Sequence, residues 1–231
     1  SKSKIMKTAK LVAYMAALLL LFNLSAAGQV RFGVKAGLNL ANIDYKTPVD
    51  NAHDILPTFQ VGGVVEIGLA EALAINTGVL LQGKGYRYTK ENDAYTAKYS
   101  SNPIYLQVPV QLVLHGKGVY AAIGPYAAMG VMGKEKFELI PASNEIGATE
   151  EKANLNFGND QTDDLRLFET GAGVELGYES KLGLLFTFNY QVGFTDTRPS
   201  YYSDAYIGEK ATNWAASFCV TYLIDLQGNG K

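Results

Sequence analysis

The sequence predicts an all-β protein: an eight-stranded antiparallel up-and-down transmembrane β-barrel that follows an N-terminal signal peptide. Three observations lead to this fold class. Segments of alternating apolar and polar residues recur along the chain, short and long connections alternate between them, and the polar positions carry few charges. Alternation is typical of a strand with one apolar and one polar face, and strands of about 9–11 residues cross the apolar core of a bilayer.

Residues 1–28 are predicted to be a cleaved signal peptide. Lys7 and Lys10 precede the apolar run "LVAYMAALLLLF" at 11–22, and "SAAG" at 25–28 supplies small residues for cleavage. The apolar run is short for a spanning helix, as in secretory signals. Met6 is expected to be the start and residues 1–5 an upstream extension. We therefore expect an exported chain whose barrel occupies 29–227, followed by a short tail at 228–231, in the bacterial outer membrane.

Eight strands are expected, near 29–41, 57–70, 72–90, 102–115, 118–133, 165–179, 182–196 and 212–226. In six of them the apolar side chains share one face: Val30, Phe32, Val34, Ala36, Leu38 and Leu40 in the first; Phe59, Val61, Val65, Ile67 and Leu69 in the second; Ile104, Leu106, Val108, Val110, Leu112 and Leu114 in the fourth; Phe168, Ala172, Val174, Leu176 and Tyr178 in the sixth; Leu182, Leu184, Phe186, Phe188, Tyr190, Val192 and Phe194 in the seventh; and Trp214, Phe218, Val220, Tyr222 and Ile224 in the eighth. The third and fifth segments each lie between a short connection and a long polar one.

The connections alternate in length. Short ones lie at 70–72, at "HGKG" (115–118) and at "ESKLG" (179–183). Long polar ones lie at 42–56, 91–101, 134–164 and 197–211. Outer-membrane barrels have tight periplasmic turns and long outer loops, so this segregation favours a membrane barrel over a soluble sandwich.

The polar face of the strands is expected to line the barrel interior. It holds mostly Gly, Gln, Asn, Ser and Thr, whereas the polar face of a soluble barrel would meet water and carry many charges. Three cations and three carboxylates share this face: Arg31, Lys35, Lys84, Glu66, Glu169 and Glu175. Because an unpaired buried charge is costly, we expect a paired network. A polar path for protons or small ions is the alternative.

Bulk composition excludes several function classes. A net charge of −2 without a basic stretch gives no reason to expect nucleic acid. One cysteine, Cys219, excludes an internal disulfide and a multi-cysteine metal site. No phosphate-binding glycine loop and no zinc-ligand spacing is present, so no cofactor is expected.

Catalysis at the barrel rim is a remote alternative. His53 lies between Asp50 and Asp54 in the first long connection, and Ser200 or Ser203 would have to join it. A base held near a nucleophile is the minimum for such chemistry. A solvated loop histidine is far commoner, so the chain is not expected to be an enzyme.

A calcium site in the third long connection also stays open. "NFGNDQTDDLR" at 156–166 offers oxygen ligands from Asn159, Asp160, Asp163 and Asp164. Calcium prefers such oxygens, but the spacing is not that of an EF-hand loop.

Four segments resemble one family. They are "FGVKAGLNLANI" (32–43), "YLQVPVQL" (105–112), "AAIGPYAAMGV" (121–131) and "GAGVELGY" (171–178). Together they resemble the Bacteroidetes outer-membrane β-barrel family that includes the PorT-like, or "porin family", proteins. The resemblance implies an outer-membrane barrel over nearly the whole mature chain.

The function expected from these observations is structural or interaction work in the cell envelope. The barrel would display long extracellular loops as an accessory of an envelope or secretion complex, with outer-membrane lipid around it. Tyr201, Tyr202 and Tyr206 of the last loop form a candidate surface for a protein partner. A narrow passive channel for small solutes or ions is the alternative function.

Overall fold

The computed structural model describes residues 29–45, 53–142, 147–201 and 210–225. These residues form one antiparallel sheet of eleven strands. The strands are β1 (Val30–Tyr45), β2 (His53–Asp54), β3 (Leu56–Ala70), β4 (Leu73–Gly83), β5 (Tyr86–Glu91), β6 (Tyr95–Gly116), β7 (Val119–Pro141), β8 (Thr149–Asn154), β9 (Phe168–Glu179), β10 (Leu184–Gly193) and β11 (Ala211–Asp225). No helix among the described residues is long and apolar enough to cross a membrane.

Eight of the strands close into a ring in the order β1, β3, β4, β6, β7, β9, β10, β11. The first strand closes it, because Val34 lies opposite Gly63 of β3 on one side and opposite Tyr222 of β11 on the other. The pairing of β6 with β7 joins the two halves. The predicted fold class, an all-β eight-stranded antiparallel barrel, is confirmed.

The two ends of the ring differ. At one end, which also holds Val30 and Asp225, short turns join β3 to β4, β6 to β7 and β9 to β10. We call it the turn end. At the other end, β6 and β7 continue beyond the ring and pair with β5 and β8, and β2 pairs with β5. We call this extension the rim sheet: β2, β5, residues 95–102 of β6, residues 133–141 of β7, and β8.

The rim sheet corrects three predicted loops and one predicted strand. Within the expected loop 42–56, β2 (His53–Asp54) pairs with β5. Residues 95–101 and 135–141, assigned to the loops 91–101 and 134–164, pair with each other as strands. The expected third strand at 72–90 is divided after Gly83, because Gly85 adopts a φ of +110° that an L-residue rarely takes. The sequence showed no apolar face in these segments because both faces of the rim sheet lie beyond the apolar part of the barrel.

The sixth and seventh predicted strands are shorter than expected. The sixth, expected at 165–179, begins at Phe168, and the seventh, expected at 182–196, is Leu184–Gly193. Residues 155–167 instead pack at the rim-sheet end of the barrel. The predicted signal peptide at 1–28 and tail at 228–231 lie outside the described residues.

The apolar face of the strands points away from the barrel axis. On β1, Val34 and Leu38 are 65% and 71% exposed, whereas Lys35 between them is 4% exposed. Exposed apolar side chains occur on every strand of the ring and form a continuous apolar band. An isolated water-soluble domain rarely exposes such an area, so this surface is suited to lipid.

Candidate functional site

The barrel interior contains an outer ion pair near the rim sheet, formed by Lys84 and Glu169, which are 2% and 3% exposed. Lys84 directly follows β4, and its backbone N–H donates to the carbonyl of Pro103 at 2.9 Å. The Tyr126 hydroxyl donates to Glu169 Oε1 at 2.7 Å, and Asn213 Nδ2 donates to Oε2 at 2.6 Å. Both carboxylate oxygens therefore have donors.

The middle of the barrel holds a second buried pair, between Lys35 of β1 and Glu175 of β9. Lys35 Nζ lies 2.6 Å from Glu175 Oε1, and Asn189 Nδ2 donates to Oε2 at 3.3 Å. Between this pair and the outer one, Gln107 Nε2 donates to Gln191 Oε1 at 3.2 Å. Polar side chains from opposite walls thus meet across the barrel axis.

A third group of charges occupies the turn end. Arg31 Nη2 lies 2.5 Å from Glu66 Oε1, and Arg31 also pairs with Glu179. His115 Nε2 lies 3.0 Å from Glu66 Oε1, and its Nδ1 lies 3.6 Å from Glu179 Oε2. An apolar layer separates this group from the middle pair: Val64, Ala74, Leu80, Val113, Tyr120, Ala122, Leu185 and Leu223.

The structure places all six interior charges named from the sequence inside the barrel, and each contacts an oppositely charged member of the same set. Sequence reasoning missed Glu179, His115 and Tyr126. The signal for Glu179 was present, because it shares the parity of Glu169 and Glu175 on one strand. His115 similarly shares the parity of the inward glutamines of β6.

Residues 155–167 pack at the rim-sheet end of the barrel, beside the outer pair. Phe157 packs edge-on against Tyr105, with ring centroids 5.9 Å apart. A Cβ on Gly130 would lie 2.1 Å from Phe157 Cδ1, so only glycine leaves room for this ring. The segment is held by hydrogen bonds from Gly158 N to Leu165 O and from Gly130 N to Leu167 O, at 2.9 and 2.8 Å.

The inner face of the rim sheet carries a tyrosine cluster. The rings of Tyr88 and Tyr99 stack with centroids 5.4 Å apart, and Tyr86 lies 5.9 Å from Tyr99. The Tyr99 hydroxyl donates to Glu135 at 2.9 Å. Burial and the neighbouring Glu135 carboxylate raise the pKa of Tyr99, so this hydroxyl remains a donor at neutral pH.

The outer face of the rim sheet carries charged side chains. Lys136 lies 2.8 Å from Glu150 and 3.4 Å from Glu138, and Lys152 also pairs with Glu150. Hydrogen bonds from Lys136 and Lys152 lower the pKa of Glu150 to about 2. The two lysines therefore share one carboxylate.

The candidate partner loop is described only in part. Tyr201 is 52% exposed, whereas Tyr202 and Tyr206 lie outside the described residues. Just before Tyr201 in the chain, Arg198 Nη2 lies 3.1 Å from Asp196 Oδ2. Burial raises the pKa of Asp196, but hydrogen bonds from Arg198 and from the Ala211 N–H outweigh burial and hold this pKa below its usual range.

Two of the candidate rim catalytic residues, His53 and Ser200, lie among the described residues. His53 lies in β2 opposite Tyr88. Ser200 Oγ donates to Asn159 Oδ1 at 3.1 Å. Asp50 and Ser203 lie outside the described residues.

Two of the four candidate calcium ligands at 156–166 accept hydrogen bonds from backbone N–H groups. Asp163 Oδ2 accepts from Asp160 N at 2.8 Å, and Asp164 Oδ2 accepts from Asn156 N at 2.7 Å. In the part of the chain that the structure describes, no group of three or more His, Cys, Asp or Glu side chains is placed to hold a metal ion.

Comparisons with known proteins find one family and several solved structures. The family described as "Outer membrane protein beta-barrel domain" matches residues 23–198. The attachment invasion locus protein Ail of Yersinia pestis is 10% identical, with 84% of this chain and 99% of that chain covered and a TM-score of 0.39. Neisserial surface protein A is 12% identical, with 83% and 96% covered and a TM-score of 0.39. The outer membrane protein OprG from Pseudomonas aeruginosa is 10% identical, with 85% and 97% covered and a TM-score of 0.31. A comparison with curated proteins gives no match.

Proposed function

Because the chain belongs to the outer membrane protein β-barrel domain family, we propose that it is a non-conducting barrel of the bacterial outer membrane that displays its rim sheet and long loops to a protein partner. The role is structural or one of interaction, as an accessory of an envelope or secretion complex. It uses no cofactor, catalytic residue or nucleic acid. That the chain is not an enzyme stays a prediction.

The observation that carries this proposal is the filled interior. The Lys84–Glu169 pair and the Lys35–Glu175 pair lie buried at two depths, and the Arg31 group occupies the turn end. The ring of Phe157 packs on Tyr105 beside the outer pair. An eight-stranded barrel has an interior that side chains alone can fill, so these groups favour a closed barrel over a passive channel.

Orientation and export complete the proposal. In outer-membrane barrels the short turns are periplasmic and the long loops extracellular. With that orientation the turn end faces the periplasm and the rim sheet faces the cell exterior. Export would use the signal peptide at 1–28, and the four sequence segments above support a PorT-like barrel of Bacteroidetes type.

Planar-bilayer recording of the refolded protein tests the closed barrel. We expect no stable open level, provided that the inserted sample shows the heat-dependent gel shift of a folded barrel. The matched variant Lys84→Ala/Glu169→Ala removes the outer pair while leaving the total charge unchanged, and it shows whether this pair matters to closure. A stable open level in the wild-type protein would refute the non-conducting barrel.

Site-specific photo-crosslinking in intact cells tests the interaction role. A crosslinker at Tyr201, which is exposed at the rim end, is expected to capture a discrete protein adduct. The control position is Lys117, which lies in a turn at the opposite end. Equal adducts at both positions, or none at Tyr201, would contradict a partner bound through the outer loops.

A further inference from the structure

The outer face of the rim sheet continues the lipid-facing surface of the barrel. Side chains alternate along a strand, so every second residue shares a face. On β6, Ile104 and Leu106 belong to the apolar band and lie next to the rim sheet on this face. On β7, an irregularity in pairing opposite Ile104/Tyr105 brings Met132 opposite Ile104, and Met132 is 59% exposed. Lys134 and Lys136 therefore lie on the same face as Met132, directly beyond the band.

The strand register arranges this face in rows across the rim sheet. The first row beyond the band consists of Asn102, Lys134 and Asn154; the second of Asp54, Arg87, Ser100, Lys136 and Lys152; the third of Thr89, Lys98, Glu138 and Glu150. The two rows nearest the band thus hold four cations and one carboxylate. Rows two residues apart are separated by about 7 Å, so these cations lie within about 14 Å of the band.

Among the described residues, two of the four cations form ion pairs and two do not. Lys136 and Lys152 both pair with Glu150 of the third row. Within the described residues, Arg87 and Lys134 make no ion pair, and both are exposed. Asp54, opposite Arg87 in the register, is not in salt-bridge contact with it. The third row, by contrast, holds one cation, Lys98, and two carboxylates, Glu138 and Glu150. The excess of positive charge therefore lies in the two rows closest to the lipid-facing surface.

Such cations lie at the level of the lipid headgroups. Headgroups occupy the layer immediately beyond the hydrocarbon core, and basic side chains there attract anionic lipids. Arg is suited to bidentate hydrogen bonds with a phosphate, and Lys supplies a point charge. We propose that the outer face of the rim sheet binds the phosphate groups of anionic glycolipid in the outer leaflet, through Arg87 and Lys134, with Lys136 and Lys152 adding to the positive field.

This inference goes beyond the proposed function, because a barrel that binds no protein partner could still bind these headgroups. It also predicts where the lipid lies around the barrel. The rim sheet is built on β5 to β8, so the bound lipid lies on that side of the ring.

Native mass spectrometry of the refolded full chain measures the binding. The probes are lipid A, the same lipid after removal of its phosphates, and phosphatidylcholine, each added to neutral detergent micelles. We expect the wild-type protein to retain lipid A in preference to the other two. Each basic residue near an anionic surface contributes about fivefold in binding, so Arg87→Gln/Lys134→Gln is expected to weaken lipid A retention about 30-fold. Arg87→Lys/Lys134→Arg, which keeps both charges, is expected to retain most of it.

A matched control removes two cations from other surfaces. Lys90→Gln/Lys117→Gln deletes one charge from the other face of β5 and one from the turn end. We expect its lipid A retention to stay within twofold of the wild-type value. An equal loss in both double variants, or no loss in Arg87→Gln/Lys134→Gln, would overturn the proposal.

Two wild-type measurements do not depend on a variant folding. Equal retention of lipid A and its phosphate-free form would overturn the proposal directly. Inorganic phosphate at millimolar concentration is expected to leave the bound lipid A in place, because the rows recognise a headgroup held at the membrane surface. Displacement by inorganic phosphate would indicate a site for free anions instead, and would equally overturn the proposal.

Discussion

Removing the charge of Glu169 alone is expected to destabilise the barrel more than removing the whole Lys84–Glu169 pair. Both side chains are almost fully buried, at 2% and 3% exposure. Breaking a buried pair by removing one partner costs about 3–5 kcal/mol, because the remaining charge has no counterion, whereas replacing both partners is often close to neutral. The double variant Lys84→Met/Glu169→Gln is therefore expected to unfold with a free energy nearer the wild-type value than either single variant.

The hydrogen bonds around the pair predict which of the two single variants loses more stability. In Glu169→Gln, Lys84 loses its anion, and the new amide group must face one of two donors, Tyr126 or Asn213. We expect the unfolding free energy of this variant to fall by about 5 kcal/mol, the upper end of the range for a broken buried pair. In Lys84→Met, Glu169 keeps both donors, so the loss is expected near the lower end, about 3 kcal/mol.

Urea unfolding in lipid vesicles measures these free energies, with gel mobility and the fluorescence of Trp214, the single tryptophan, as two readouts. The control cycle uses Lys136→Met and Glu150→Gln in the exposed rim sheet, where a coupling much weaker than that of the buried Lys84–Glu169 pair is expected because solvent screens such pairs. A double variant Lys84→Met/Glu169→Gln that lost as much unfolding free energy as the two single variants together would refute the reasoning. So would a loss below about 1 kcal/mol in Glu169→Gln.

Two further predictions concern residues 155–167 and the last loop. In Gly130→Ala the new Cβ would lie 2.1 Å from Phe157 Cδ1, so the Phe157 ring must move. We therefore expect faster proteolysis within residues 155–167. The control is Gly147→Ala, because a Cβ at Gly147 meets nothing within 4 Å. Unchanged proteolysis in Gly130→Ala would argue against this packing. The depressed pKa of Asp196 means that its pairing stabilises the fold above the unfolded pKa of 3.8 and ceases to do so as pH falls through the folded pKa. Arg198→Gln should therefore lower Tm at neutral pH, and the difference from wild type should shrink in acid; a difference independent of pH would contradict this origin.

The sequence predicted which residues face inward far better than which residues meet. Alternation alone placed Lys35 inside and Val34 outside, because a strand between lipid and a crowded interior must separate the two kinds of side chain. The partner of Lys84 was not predictable in this way. Lys84 follows β4 and Glu169 is the second residue of β9, with β6 and β7 between them in the ring. Their contact depends on the closure of the barrel, which no local pattern encodes.

The sequence was least informative where a segment has no apolar face. The sequence predicts a loop at residues 95–101 because their polar side chains indicate exposure to solvent. In the structure residues 95–101 pair with β7, and residues 96–101 pair with β5 as well. The position of Phe157 was equally hidden, since its ring occupies space that exists only because Gly130 has no side chain. Both features depend on neighbours in three dimensions.

Charge serves two different purposes along the same strands. Inside the ring, desolvation makes an unpaired charge costly, and the interior cations Arg31, Lys35 and Lys84 each contact a carboxylate of this chain. On the outer face of the rim sheet there is no such penalty. Arg87 and Lys134 lie exposed in the two rows beyond the apolar band, and neither forms an ion pair with another described residue. Repulsion among neighbouring cations opposes this arrangement unless anions from outside the chain offset it. The contrast between a neutralised interior and a basic rim is therefore itself an argument that the rim contacts an anionic layer when the barrel is in its membrane.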